Sequence, residues 1–502
     1  MFDFKRPWEH KGMLLLLLVQ LVSGISLLFF LESLHILATG RYLLVIGVLL
    51  LLFVGVYLLQ TSKRHKVLPI VGQVTSVIVI LISVFVTYNV IKTDQALDKV
   101  TQGNEETSIM SIVVLKESQI ESVESIKDDY FGVLGKADSE NSNKVIEKIK
   151  DTLQMTVKTR SYETNDAMIQ ALYNYEVKAV ILNEAMRSLI KDKYKDFDQK
   201  TVVLDNYKNV KQVQEAEESK PPIIETREPI TIFLSGVDNY GEDISSSPND
   251  VNTLATINFE TKQILLLSTP RDYYVNLSIS GDEKDKLTYA GLYGIDVSLD
   301  TIEAIYDVDI DYYARVNFTG FKSIIDALGG ITVHSDLDFT TDWGVSFVKG
   351  DNQVNGDEAL AFARQRHHLP GGDFQRIKDH QYLIEGMLAK VTSTSILLNY
   401  ASLLDSIESC FITNLSSNEL RSLIKYQIDE SPQWELVSIS TDGELAKRPI
   451  FSKSKKHSVV LPDEIKVDAA QQMLNKILKG EVVSEDMYQQ LIEEGKAQAL
   501  MN

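Results

Sequence analysis

The sequence predicts an α/β protein on a membrane anchor: three transmembrane helices, a small α/β accessory domain, and a larger α/β domain. Three observations predict it. Three long apolar runs crowd the first 90 residues. Beyond them, strand-like runs alternate with helix-like ones, the pattern of a parallel or mixed sheet. A polar, acidic stretch carrying Pro221-Pro222 separates two such blocks, as a linker does. The chain has 502 residues, more than one domain uses. Its formal net charge of -20 argues against nucleic acid as the main ligand, since that ligand needs a basic surface. Cys410 is the single cysteine, so no intrachain disulfide exists and stability rests on core burial.

The membrane region covers 1–96, with spans at about 12–31, 42–59 and 67–90. Each is poor in charge and long enough to cross a hydrocarbon core of about 30 Å. A cleaved signal peptide does not fit, because two further spans follow the first at once. Lys5, Arg6 and Lys11 precede the first span, and Lys63, Arg64 and Lys66 lie between the second and third. The positive-inside rule then places the N-terminus in the cytoplasm and everything after Val90 outside the membrane. ATP is absent there, so any phosphoryl donor must arrive already activated.

Residues 97–210 read as the accessory domain. Strands are expected at Ile109–Leu115, Met155–Ser161, Val177–Leu182 and Thr201–Leu204. Helices are expected at Asn143–Leu153 and from a Thr164 cap to Tyr175. No catalytic cluster is legible there, and the plain reading is a spacer or interaction domain. Residues 211–228 form the linker, 229–480 the second domain, and 481–502 a charged helical tail of no evident function.

In the second domain, Ile230–Val237, Val251–Phe259 and Gln263–Ser268 are expected strands. Asp296–Tyr306, Thr319–Leu328, Gly356–Arg364 and an Asp373-capped segment to Val391 are expected helices. Charged residues fall at the ends of these elements. Asp238 and Asp250 bound the loop 239–249, and adjacent strand ends would bring both carboxylates to one divalent cation. Alternatively, each is a turn former beside Gly241 or Pro248. Arg271 ends a strand, where arginine also simply snorkels to water. Arg364 and Arg366 share one side only if the helix ends near Arg364. Arg376 lies in a first helical turn after Gly371-Gly372, a favourable anion site. Guanidiniums bind phosphate oxygens in pairs of charge-assisted bonds, although ordinary salt bridges would use the same residues. His367-His368 reads as loop or cavity rim rather than a metal pair, and no Walker loop or Gly-x-Ser-x-Gly elbow is present.

From Pro229 to Val391 the chain resembles the LytR-CpsA-Psr family of cell-envelope proteins. The resemblance rests on Phe233-Leu-Ser-Gly-Val-Asp238, Asn249-Asp250-Val251, Leu267-Ser-Thr-Pro-Arg-Asp272 and Lys286-Leu-Thr-Tyr-Ala290. It also rests on Asp326-Ala-Leu-Gly-Gly330, Asn355-Gly-Asp-Glu-Ala-Leu-Ala361 and Arg364-Gln-Arg366. The three spans and extra domain look like the streptococcal capsule-associated branch. The resemblance implies an α/β/α domain with a central mixed sheet and an apolar pocket for a polyprenyl chain. It implies transfer of a glycopolymer, such as capsular polysaccharide, from undecaprenyl pyrophosphate to peptidoglycan, releasing undecaprenyl phosphate. Asp238 and Asp250 match the family's magnesium carboxylates, with manganese as the substitute ion. Arg271, Arg364, Arg366 and Arg376 match its pyrophosphate-binding arginines, and Asp238, Asp250 and Arg271 its catalytic set. The family places two glutamines four and five residues after the last arginine. Here these are His380 and Gln381, and His380 would supply a donor in the first glutamine's place. Other capsule assembly proteins are further expected partners; DNA is not. Two other classes stand against the enzyme: a regulator that binds polyprenyl pyrophosphate without turnover, and a transcriptional regulator.

Overall fold

The computed structural model describes residues 11–34, 37, 39–62, 67–102, 105–135, 138–212, 226–238, 247–366, 369–393, 403–404, 406 and 410–501. Lys5, Arg6, Lys63, Arg64, Lys66, His367, His368 and most of the 239–249 loop lie outside them.

Three apolar helices open the chain: Lys11–Ser33, Thr39–Thr61 and Leu68–Gln102. All three are long and apolar enough to span a membrane. Their exposed sides are mostly leucine, valine and isoleucine, with Phe29, Phe85 and Tyr88, as suits a bilayer. A buried hydrogen bond from Ser76 Oγ to Gln20 Oε1 (2.8 Å) ties the first to the third. The third helix has 35 residues, about 52 Å at 1.5 Å per residue, so it outruns the hydrocarbon core. Its last turns reach the distal domain. Ala96, Leu97 and Val100 pack with Phe411, Leu420 and Ile424. Arg421 Nη2 meets Asp94 at 2.8 Å and Asp98 at 2.9 Å.

The accessory domain is a five-stranded mixed sheet, in spatial order Lys158–Tyr162, Tyr130–Leu134, Ala179–Asn183, Glu105–Leu115, Thr201–Gln212. Tyr130–Leu134 was not among the expected strands; five residues between polar turns give a weak periodic signal. Thr164 caps its helix as expected, accepting from the Ala167 amide.

The second domain carries a six-stranded mixed sheet: Phe411–Thr413, Tyr312–Asn317, Ile230–Val237, Asn249–Asn258, Gln263–Ser268, Glu435–Ser440. The Tyr312 and Ile230 strands run parallel, as do the Gln263 and Glu435 strands; the other neighbours are antiparallel. Alternation along the strands feeds two apolar layers. Phe233, Val237, Leu265 and Leu267 face a core shared with the Ile295–Tyr306 and Glu464–Leu478 helices. Ala255, Ile264 and Leu266 face the Asp373–Val391 helix through Ile384. The result is helix, sheet, helix. The C-terminal stretch corrects the expected tail: Glu485–Ala499 is a helix of the core, with Tyr488 and Ile492 each 3% exposed. Tyr488 also donates to the Ser440 carbonyl at 3.0 Å.

Candidate active site

The sheet concentrates the charged residues at one end. Strands Ile230–Val237 and Gln263–Ser268 both finish there, and Asn249–Asn258 begins there. Asp238 follows the first strand directly. Gly236 pairs with Val251 and Val237 with Asn249, so Asp250 is the extra residue of a β-bulge. A bulge re-aims the side chain it inserts, and here it directs Asp250 toward Arg271. Arg271 Nη1 donates to Asp250 Oδ1 at 2.6 Å. Arg271 itself follows Thr269, whose amide is tied to the Asn252 carbonyl at 2.9 Å.

Behind this pair, Arg315 is 1% exposed. Its Nη2 donates to the Ser247 carbonyl at 3.0 Å and the Gly291 carbonyl at 3.3 Å. It thus fixes the chain entering the bulge. Sequence reading passed over Arg315; the available signal was a lone arginine inside the apolar strand Tyr312–Asn317.

The helix Gly356–Arg364 ends at Arg364, and Gln365 is extended. That break lets Arg364 and Arg366 face the same cavity. Arg364 lies between two rings, 5.0 Å from the Phe318 centroid and 4.8 Å from that of Trp343. Trp343 is half exposed and was also missed, because it sits in a segment with no periodic pattern. Gly371 and Gly372 have φ of +90° and +55°, which glycine adopts freely. They turn the chain into the helix Asp373–Val391. Asp373 does not cap this helix; Gly372 occupies the cap position, and the Asp373 carboxylate accepts instead from Arg376 at 2.5 Å.

Asp238, Asp250, Arg271, Arg364, Arg366, Arg376 and His380 therefore line one cavity of about 470 Å³. Its remaining wall is largely apolar, with Leu234, Val316, Phe321, Ile384, Met387 and Phe411 beside the polar Ser235, Asn317 and Asp342. On their other side, Asp238, Asp250 and Arg271 also line a second, polar cavity of about 580 Å³. The reactive-looking residues thus form a partition between a greasy chamber and a wet one.

The electrostatics fit a polyanion. Burial, then the adjacent Asp250, raise the Asp238 carboxyl above its ordinary value, against the pull of Arg364, Arg271 and Arg376. Burial and then Arg271 lower the Arg376 guanidinium. Burial opposes the Arg271 charge too, but Asp250 and Asp272 more than offset it. The Nε atoms of Arg271 and Arg376 are buried with no hydrogen-bond partner among the described residues. Buried N–H groups that lack an acceptor are costly, and an anion's oxygens would satisfy them.

Two expectations shift. His380 Nε2 donates to the Ala363 carbonyl at 2.9 Å, so its donor is used within the fold. Burial first, and Arg376 second, push its pKa down to about 4, so the ring is neutral near pH 7 and its Nδ1 is left as an acceptor. Gln381 stands apart from the cavity. It is 6% exposed and its Nε2 donates to the Ile439 carbonyl at 2.7 Å, which joins the helix to the sheet. Adjacent residues on a helix point about 100° apart, and here His380 lines the chamber while Gln381 faces the sheet.

Comparison with known proteins bears on this site. The family model described as LytR_cpsA_psr matches residues 193–462. A protein of Bacillus cereus (strain AH820) named polyisoprenyl-teichoic acid–peptidoglycan teichoic acid transferase TagU is 37% identical over 225 residues, 45% of this chain and 73% of that one. Its namesake in Bacillus mycoides is 35% identical over 229 residues, 45% of this chain and 74% of that one. The crystal structure of B. subtilis TagV aligns at 26% identity and a TM-score of 0.43, over 51% of this chain and 99% of that one. The crystal structure of protein gbs0355 from Streptococcus agalactiae aligns at 26% identity and a TM-score of 0.45, over 53% and 93%.

Proposed function

Since the chain belongs to the LytR-CpsA-Psr family, we propose that it is a membrane-anchored phosphotransferase moving a glycopolymer from a polyprenyl pyrophosphate carrier to peptidoglycan. The observation that carries this is the partition. A lipid pyrophosphate has an apolar tail, two phosphates and a sugar, and the chain offers in order an apolar chamber, a cluster of arginines and a polar chamber. In this reading the carrier is undecaprenyl and the polymer a capsular polysaccharide. The capsule assignment is supported by the three spans and the accessory domain beside the catalytic one. Positive residues ahead of the first span and before the third support a cytoplasmic N-terminus and an extracytoplasmic catalytic domain.

The prenyl chain enters the apolar cavity. Arg271, Arg364, Arg366 and Arg376 bind the pyrophosphate and stabilise charge on the departing lipid phosphate. A peptidoglycan hydroxyl attacks the phosphorus that bears the glycan, and the bond from that phosphorus to the bridging oxygen breaks. Asp238 lines the polar chamber from which the hydroxyl arrives, and it takes the hydroxyl's proton. Burial and then the neighbouring Asp250 raise Asp238, and a magnesium or manganese ion at the two carboxylates would offset both. Such an ion, held by Asp238, Asp250 and phosphate oxygens, would neutralise the phosphates.

Replacing Asp250 in cells tests the enzyme against a non-catalytic binder. With Asp250→Ala present at normal level and folded, covalent linkage of polymer to wall should be lost. Undiminished linkage would contradict transfer.

A further inference from the structure

The accessory domain has no role in the reaction as described so far. Yet it forms a wall of the polar cavity. Asn183, Glu184, Ser188 and Asp192 line it from the accessory side; Asp272, Lys286, Thr288, Tyr289 and Lys453 line it from the catalytic side. The two sides are joined firmly. Leu292 of the catalytic domain is fully buried in the accessory core, with Tyr289 and Tyr293 packed beside it. Lys453 Nζ meets Asp192 Oδ2 at 2.6 Å and lies 5.4 Å from the Tyr289 ring centroid.

The lining chemistry narrows the occupant. Away from the partition, the acids Glu184, Asp192 and Asp272 nearly balance the bases Lys286 and Lys453, so no second polyanion is favoured. The wall is too polar for a lipid. Thr288 lines the cavity, and its buried hydroxyl has no hydrogen-bond partner among the described residues. Carboxylates, amide and hydroxyl groups match a chain of sugar rings, which offers hydroxyls along its edges. The volume, about 580 Å³, accommodates a few sugar units.

We propose that this cavity is a saccharide subsite shared by the two domains, and that the accessory domain is a substrate-binding wall of the enzyme. It rests on the transfer reaction proposed above. The saccharide belongs either to the lipid-borne donor or to the peptidoglycan acceptor, and both would present a sugar to Asp238 and Asp250 across the partition.

Two variants of the full-length protein in detergent test it. Ser188 is exposed on a surface helix, so Ser188→Trp fills the cavity without disturbing a core. Thr288→Val removes only the unpartnered hydroxyl, since the Thr288 amide keeps its bond to the Arg271 carbonyl. For Ser188→Trp, the KM for one saccharide substrate should rise at least about tenfold, equivalent to about 1.4 kcal/mol of binding. Thr288→Val should shift the same KM by a few-fold, and binding of sugar-free polyprenyl pyrophosphate should stay unchanged in both. A raised donor KM assigns the donor glycan; a raised acceptor KM assigns the acceptor. Both KM values within twofold of the parent protein, or an equal loss of sugar-free lipid binding, would overturn the subsite. If the parent protein turns nothing over but binds a glycan fragment that Ser188→Trp rejects, the transfer reading falls and the subsite stands.

Discussion

At the scale of single residues, function depends on how few side chains are arranged around one partition. The four arginines are not equivalent. Arg376 is 7% exposed and held by Asp373; Arg271 is held by Asp250; Arg364 lies beside the rings of Phe318 and Trp343. A ring supplies about 0.5–1 kcal/mol to a partly exposed guanidinium. Trp343→Ala should therefore raise the donor KM by roughly two- to fivefold with little change in kcat. An unchanged KM in steady-state kinetics would show that Arg364 is positioned without the indole. The position of the arginines and aspartates at strand and helix ends was legible in the sequence; their joint role came only with the family resemblance. Their supports were not. Trp343 and Arg315 act through long-range packing that no local spacing encodes. His380 and Gln381 looked alike as neighbours, but helical geometry sends one to the cavity and the other to the sheet.

At the scale of elements, the bulge and the C-terminal helix matter most. The bulge at Asp250 turns an ordinary antiparallel pair into a paired-carboxylate site. Strand positions were readable from short apolar runs; the bulge was not, because one inserted residue is invisible until the partner register is known. The Glu485–Ala499 helix shows the opposite failure. Its charge suggested a tail, yet its apolar residues at helical spacing bury Tyr488 and Ile492 against the sheet domain. Ile492→Ala should lower the domain's stability by about 2–4 kcal/mol, as large-to-small changes in cores do. Thermal or urea unfolding of the purified protein reads this. A loss under about 0.5 kcal/mol, the range of surface substitutions, would restore the tail reading.

At the scale of the whole molecule, the anchor and the lipid chamber are neighbours. Ile324 and Phe411 line the apolar cavity and also pack against the end of the third membrane helix. A lipid-borne donor thus meets the chamber next to the bilayer it comes from. The three spans were readable from hydropathy alone; their docking on the catalytic domain through Arg421, Asp94 and Asp98 joins residues over 300 positions apart and was not. A donor with a photoreactive group on its prenyl chain should label peptides containing Ile324 or Phe411. Labelling confined to the accessory domain would contradict this placement.

The most direct measurement is release of polyprenyl phosphate by the purified full-length protein, supplied with a lipid-pyrophosphate saccharide, an acceptor glycan and magnesium. Arg271 joins Asp250 to the arginine cluster and lines both cavities. Losing a charged, preorganised donor of this kind costs about two to three orders of magnitude in rate. Arg271→Ala should therefore reduce release to near background while the protein remains folded. Release at the parent rate would contradict the partition as the active site.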